Sequence, residues 1–147
     1  MSSYEQSLRE RRSFMAQEFG GDTQTFTIRG PKGKRGIVRD IEVETTEAMV
    51  GTTTVPEINV GKAANDDSFA RFRLGTAVGA GYGAGVKRAL SLVSGNGAVP
   101  TLEDFPGHIM LETDFLPADT DAVITLKEGV GGVPAGTANV HVDIEWF

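Results

Sequence analysis

The 147-residue sequence contains no cysteine. That absence excludes a disulfide framework, a thiolate zinc site and a catalytic thiol. It leaves the compartment open. Histidine is almost as scarce, with His108 and His141 the only two. A hydrolytic triad would have to use one of them, and Ser68, Ser91 and Ser94 lie in no nucleophile-elbow context. No apolar run approaches the ~18 residues of a membrane-spanning helix. The opening Met1-Ser2-Ser3-Tyr4-Glu5 lacks the apolar stretch of an export signal. Neither a membrane partner nor export by that route is expected. Aromatic residues make up 7%, with Trp146 the sole tryptophan, so few rings are on hand for a sugar-stacking surface.

Hydrophobic residues make up 39% and charged residues 23%, an ordinary globular balance. The length suits one compact domain with an appendage. Net charge is −6 but unevenly placed. Residues 101–147 hold nine acidic groups against Lys127 alone. Arg29, Lys32, Lys34, Arg35 and Arg39 cluster with no acid between Arg29 and Arg39. This asymmetry suits contacts between charged surfaces, head to tail or lateral. Two solvated faces are the plainer alternative.

Residues 3–19 are expected to be helical. Ser3 offers a cap, and Glu5, Gln6, Leu8, Arg9, Glu10 and Arg11 are good helix formers. Tyr4, Leu8, Met15 and Phe19 fall within ~60° of one another at 100° per residue, with Arg11 and Arg12 beside them. Gly20-Gly21 then supplies a stop and a hinge. An isolated helix of this length is marginal in water, so it must dock on its own domain or on another chain.

Beyond residue 23 the period drops to two. Phe26 and Ile28 alternate with polar neighbours, and Gly30 to Gly36 forms a turn that carries the basic cluster. Ile37, Arg39, Ile41 and Val43 share one expected strand face, with Val38, Asp40, Glu42 and Glu44 on the other. Residues 49–55 and 57–60 read as short strands. So do Ala70 to Leu74, His108 to Glu112 and Ala122 to Lys127. Residues 86–93 are open between strand and helix. Residues 75–85, rich in Gly and Ala, make a flexible or closely packed loop, and Ser94 to Pro100 is turn-rich. Gly129 to Gly136 reads as a long hairpin loop. The last strand is the clearest, with Val140, Val142, Ile144 and Trp146 alternating against His141, Asp143 and Glu145. The fold class is therefore mainly β: an antiparallel β-sandwich, jelly-roll-like, at 22–147, with an N-terminal helical arm at 1–21.

The motifs that carry chemistry fail one by one. His141, Asp143 and Glu145 share a strand face that is more simply a wet one than a metal site. Asn65, Asp66 and Asp67, like Asp119 and Asp121, lack the calcium-loop spacing. Lys34 is followed by Arg35 and no hydroxyl, so Gly30 to Gly36 is no phosphate loop. Net acidity, without interleaved aromatics, points away from a specific nucleic-acid reader. No catalytic residue, metal or cofactor is assigned, and the chain is not read as an enzyme.

Thr25-Phe26-Thr27-Ile28-Arg29-Gly30-Pro31-Lys32-Gly33-Lys34-Arg35-Gly36, followed by Val38-Arg39-Asp40-Ile41, resembles small virion structural proteins of tailed bacteriophages. So do Gly51-Thr52-Thr53-Thr54-Val55-Pro56, Val60-Gly61-Lys62-Ala63-Ala64, Leu116-Pro117-Ala118-Asp119-Thr120, Pro134-Ala135-Gly136-Thr137-Ala138 and Val142-Asp143-Ile144-Glu145-Trp146-Phe147. The similarity spans about 24–147, and the Gly-rich 75–85 departs from it. The resemblance is to proteins that decorate or cement the phage head. It implies a β-sandwich or jelly roll on the outer surface of the head, made in the host cytoplasm and often a homotrimer. Its partners would be the major capsid protein and neighbouring copies of itself. Tyr4, Leu8, Arg11, Arg12, Met15, Phe19, Lys32, Lys34 and Arg35 are the candidate partner-binding residues. A neck, tail or baseplate component and a carbohydrate-binding sandwich are the alternatives.

Overall fold

The computed structural model describes residues 8–77, 79–93, 97–100 and 115–147. Their sequence folds as strands β1 (Leu8–Glu18), β2 (Gln24–Ile28), β3 (Gly36–Val50), β4 (Glu57–Lys62) and β5 (Asn65–Arg73). These are followed by β6 (Gly75–Ala77), β7 (Ala80–Gly81), β8 (Lys87–Val93), β9 (Gly97–Pro100), β10 (Ala122–Lys127) and β11 (Ala135–Trp146). One sheet has the order β1-β11-β3-β8-β9 and the other β2-β10-β4-β5, with β6 and β7 a small separate hairpin. Every pairing among them is antiparallel.

The two sheets bury their apolar faces against each other. Ile41, Val43, Val140, Val142 and Ile144 from the first join Ile58, Val60, Phe72, Ile124 and Leu126 from the second in one buried cluster. The mainly β, two-sheet reading therefore holds. The alternation of β11 is complete: Val140, Val142, Ile144 and Trp146 are buried and the residues between them half-buried.

Among the described residues the expected helix is not there: residues 8–18 are a strand against β11, and 3–7 lie outside the described residues. Its inner row is Leu8, Glu10, Arg12 and Phe14, opposite Trp146, Ile144, Val142 and Val140. A bulge between Phe14 and Gln17 then adds one residue to β1. The extra residue reverses which neighbours face inward. Phe14 and Phe19, an odd number of positions apart, therefore both turn to the core. Without knowledge of the bulge, the spacing of Leu8, Met15 and Phe19 mimics a helical period. Tertiary pairing with β11 wins over local helix propensity.

A second bulge corrects β3. The register with β11 shifts between Asp143 and Ile144, so Val38 lies opposite Ile144 and is buried. Arg39 turns outward to Glu145 at 2.7 Å. The buried set is thus Ile37, Val38, Ile41 and Val43, so that of the expected face only Arg39 is displaced, and Val38 joins it. Strand β3 also continues to Val50, so residues 49–55 are the end of a long strand and a loop. The ambiguous 86–93 resolves as β8, and β9 falls within the expected turn. The segments 30–36 and 129–136 join strands of different sheets and are crossovers rather than hairpins. The expected strand His108 to Glu112 lies outside the described residues.

Candidate interaction surface

The strand directions sort the loops into two ends. The turn 30–36, the β4–β5 turn, residues 115–121 and Phe147 lie at one end. The turn 19–23, residues 51–56, the glycine-rich 75–77 and 79–86 and the crossover 128–134 lie at the other.

At the first end the structure is built around Trp146. A Cβ on Gly30 or Gly36 would overlap its ring, so the basic turn must begin and end on glycine to pass over the indole. The Trp146 Nε1 donates to Glu10 Oε1 at 2.9 Å. Arg35 and Phe147 exchange backbone hydrogen bonds at 2.8 Å each. The Arg35 guanidinium sits 5.2 Å from the Phe115 ring centre and 5.1 Å from that of Phe147. Those two rings meet edge to face. Asp119 accepts from the Gly33 amide at 3.0 Å, and Asp121 pairs with Arg29 at 2.6 Å.

Part of the basic cluster and part of the acidic C-terminal third therefore neutralise each other within one chain, through two ion pairs. Arg29 meets Asp121, Arg39 meets Glu145, and Arg11 bridges Asp143 and Glu42 at 3.4 and 3.5 Å. Their use as complementary patches between chains is reduced to what remains. Lys32 and Lys34 carry no ion pair among the described residues, and Lys32 is exposed.

The outer face of β11 is consumed in the same way. His141 Nδ1 lies 2.7 Å from Ser13 Oγ, Asp143 faces Arg9 and Arg11, and Glu145 faces Arg39. Asp66 pairs with Lys127 and Asp67 with Arg71. Among the described residues no group of three His, Asp or Glu is placed to hold a metal. Trp146, at 1% exposure, cannot stack on a sugar.

The N-terminal candidates divide. Leu8 and Met15 are 53% and 56% exposed. Phe19 is buried in the protein's own core, with its amide on the Gly136 carbonyl at 2.8 Å. Arg12 pairs with Glu10 at 2.7 Å. Tyr4 lies outside the described residues.

At the second end the loops interlock. Thr53 donates to the Val130 carbonyl at 2.7 Å, and Val130 to that of Thr54 at 2.9 Å. Thr45, a buried residue that sequence reasoning passed over, pins the glycine-rich loop. Its hydroxyl donates to the Gly83 carbonyl at 2.6 Å and accepts from the Val86 amide at 2.9 Å. Residues 82–86 are thus held closely, and Val130 and Val133 are exposed at the same end. Nothing in the local sequence separates these valines from core valines.

No family model matches the chain, and no curated protein sequence does. Among solved structures, a chain described as "Cyanophage Pam1 capsid asymmetric unit" superposes with a TM-score of 0.39 at 18% identity. It covers 95% of this chain and 83% of its own. At that score the likeness carries no argument about this chain's role.

Proposed function

We propose that this protein is a structural subunit of a bacteriophage particle, a decoration or cement protein that binds the outer shell of the head and bridges neighbouring capsomers. The strand order carries the reading. Successive strands β1 to β4 alternate between the sheets, β8, β10 and β11 alternate again, and β1 pairs with β11. Two interlocked Greek keys give this order, which is that of a jelly roll, and a jelly roll is what the sequence resemblance implies. The homotrimer and the contact with the major capsid protein belong to the same reading.

The surface supports a binding role. Its charge is spent mostly on internal pairs, while Leu8, Met15, Lys32 and Lys34 stay available on a rigid scaffold. Each copy would add a modest interface, and repetition over a shell would multiply it. The test is co-sedimentation of the purified chain with undecorated heads. Saturable binding at a stoichiometry set by the shell lattice is expected. Binding confined to one ring of sites would move the protein to a neck or tail, and no binding would remove it from the particle.

A further inference from the structure

We infer that copies of this chain associate head to tail, the valine-tipped end of one sandwich seating on the lysine-bearing end of the next. Two sets of observations meet here. The first is apolar exposure at both ends. Val133 is 82% exposed and Val130 54%, with Val50 beside them in the register of β3 on β11. At the opposite end Leu8 and Phe115 are exposed, Phe115 packed edge-on to Phe147.

The second is what remains of the charge once internal pairs are removed. Among the described residues, the carboxylates with no ion pair or side-chain hydrogen bond are Glu18, Asp22, Glu47 and Glu128, and all lie at the valine end. Glu18 and Glu47 flank Thr137 from the two neighbouring strands. They edge a depression of about 220 Å³ that Gly20, Gly21 and Pro134 to Thr137 complete. The unpaired lysines, Lys32 and Lys34, lie at the other end.

Each end thus offers apolar side chains beside charge that is predominantly of one sign, with Arg88 over Tyr82 the exception at the valine end, and the predominant signs are opposite. The occupant that fits the valine end is the lysine end of a second copy. Charge complementarity fixes the orientation, since two like ends would repel. The backbone behind the exposed valines is already tied down, with Thr53 donating to the Val130 carbonyl and Val130 to that of Thr54. Little conformational freedom is lost on contact. A contact between different patches closes into a ring or propagates as a filament.

The inference stands apart from shell decoration, because its experiment uses the isolated full chain in solution. Sedimentation equilibrium at low ionic strength should give a mass above one chain, falling as salt is raised. The variants Lys32→Glu/Lys34→Glu and Glu18→Lys/Asp22→Lys/Glu47→Lys/Glu128→Lys should each weaken association by about tenfold or more. Their Trp146 fluorescence should match the parent. An equimolar mixture of the two should recover association, because their ends are again complementary. A parent chain that stays monomeric, a mass indifferent to salt and to both variants, loss in only one variant, or a mixture that fails to recover would each overturn the inference.

Discussion

The indole Nε1 of Trp146 donates to the carboxylate of Glu10 at 2.9 Å, tying β11 to β1 from inside the sandwich edge. Trp146 is buried, so its N–H has no access to bulk water. Truncating the acceptor leaves a buried donor unpaired. Glu10→Ala should lower unfolding stability by about 1–3 kcal/mol, and Glu10→Gln, which keeps an acceptor, by less. Urea denaturation followed by fluorescence of the single tryptophan reads both.

The turn that crosses the indole gives a second prediction. Gly30→Ala and Gly36→Ala force a methyl into the Trp146 ring. Overpacking of this kind costs about 1–3 kcal/mol. Gly21→Ala meets nothing within 4 Å and needs no unusual backbone, so it should change stability by less than about 0.5 kcal/mol. Thermal melts of the three variants, run side by side, separate a steric cause from a general intolerance of alanine.

Ala16 occupies the left-handed region, at φ 52°, within the β1 bulge, and its amide is held by Asn139 Oδ1 at 2.8 Å. A Cβ is disfavoured there by about 1–2 kcal/mol, and glycine gives back part of the gain through a freer unfolded chain. Ala16→Gly should therefore raise stability by about 0.5–1 kcal/mol. A lower melting temperature for Ala16→Gly would mean that the bulge is not built this way.

Burial pushes the Tyr82 phenol up to about 12 from its ordinary 10.0, and the charge of Arg88 over the ring pulls the other way without cancelling it. The phenol oxygen has no hydrogen-bond partner among the described residues, so Arg88 acts on it by charge. The fold favours the neutral form. Its contribution is whole below pH 10 and is lost as pH rises through about 12. Stability should fall across that window in the parent and fall less in Tyr82→Phe, whose other behaviour near neutral pH should be close to the parent's. Ultraviolet titration of the phenol against unfolding midpoints checks the sign.

Much of the sandwich was legible from period two alone. Strand β11 reads directly from Val140 to Trp146, and β10 and β2 from their short apolar runs. The errors in which face a residue takes fall at the bulges in β1 and β3, where one added residue reverses the faces. Val38 and Arg39 exchange roles for that reason, and Phe14 and Phe19 share a face that no regular period predicts. At the candidate surface the clustering of Lys32, Lys34 and Arg35 was visible, but not that the Arg35 guanidinium would lie against Phe115 and Phe147. Composition showed the acidic C-terminal third. Only the strand order shows that Asp121 and Glu145 answer Arg29 and Arg39 within one chain, leaving different carboxylates for the surface.

The pairing of β1 with β11 also sets an order of events in time. Glu10 and Trp146 are 136 residues apart in sequence, so their contact needs nearly the whole described chain to be present. Strand β11 lies between β1 and β3 and completes the ladders of both. Until it arrives, each of those strands has an open side, and β1 has no other strand partner among the described residues. Contacts of such separation slow folding, because the loop must close before the pairing rewards it. A nascent chain would hold β1 without its β11 partner until β11 emerged, an interval in which an unpaired edge is open to mispairing with a neighbour.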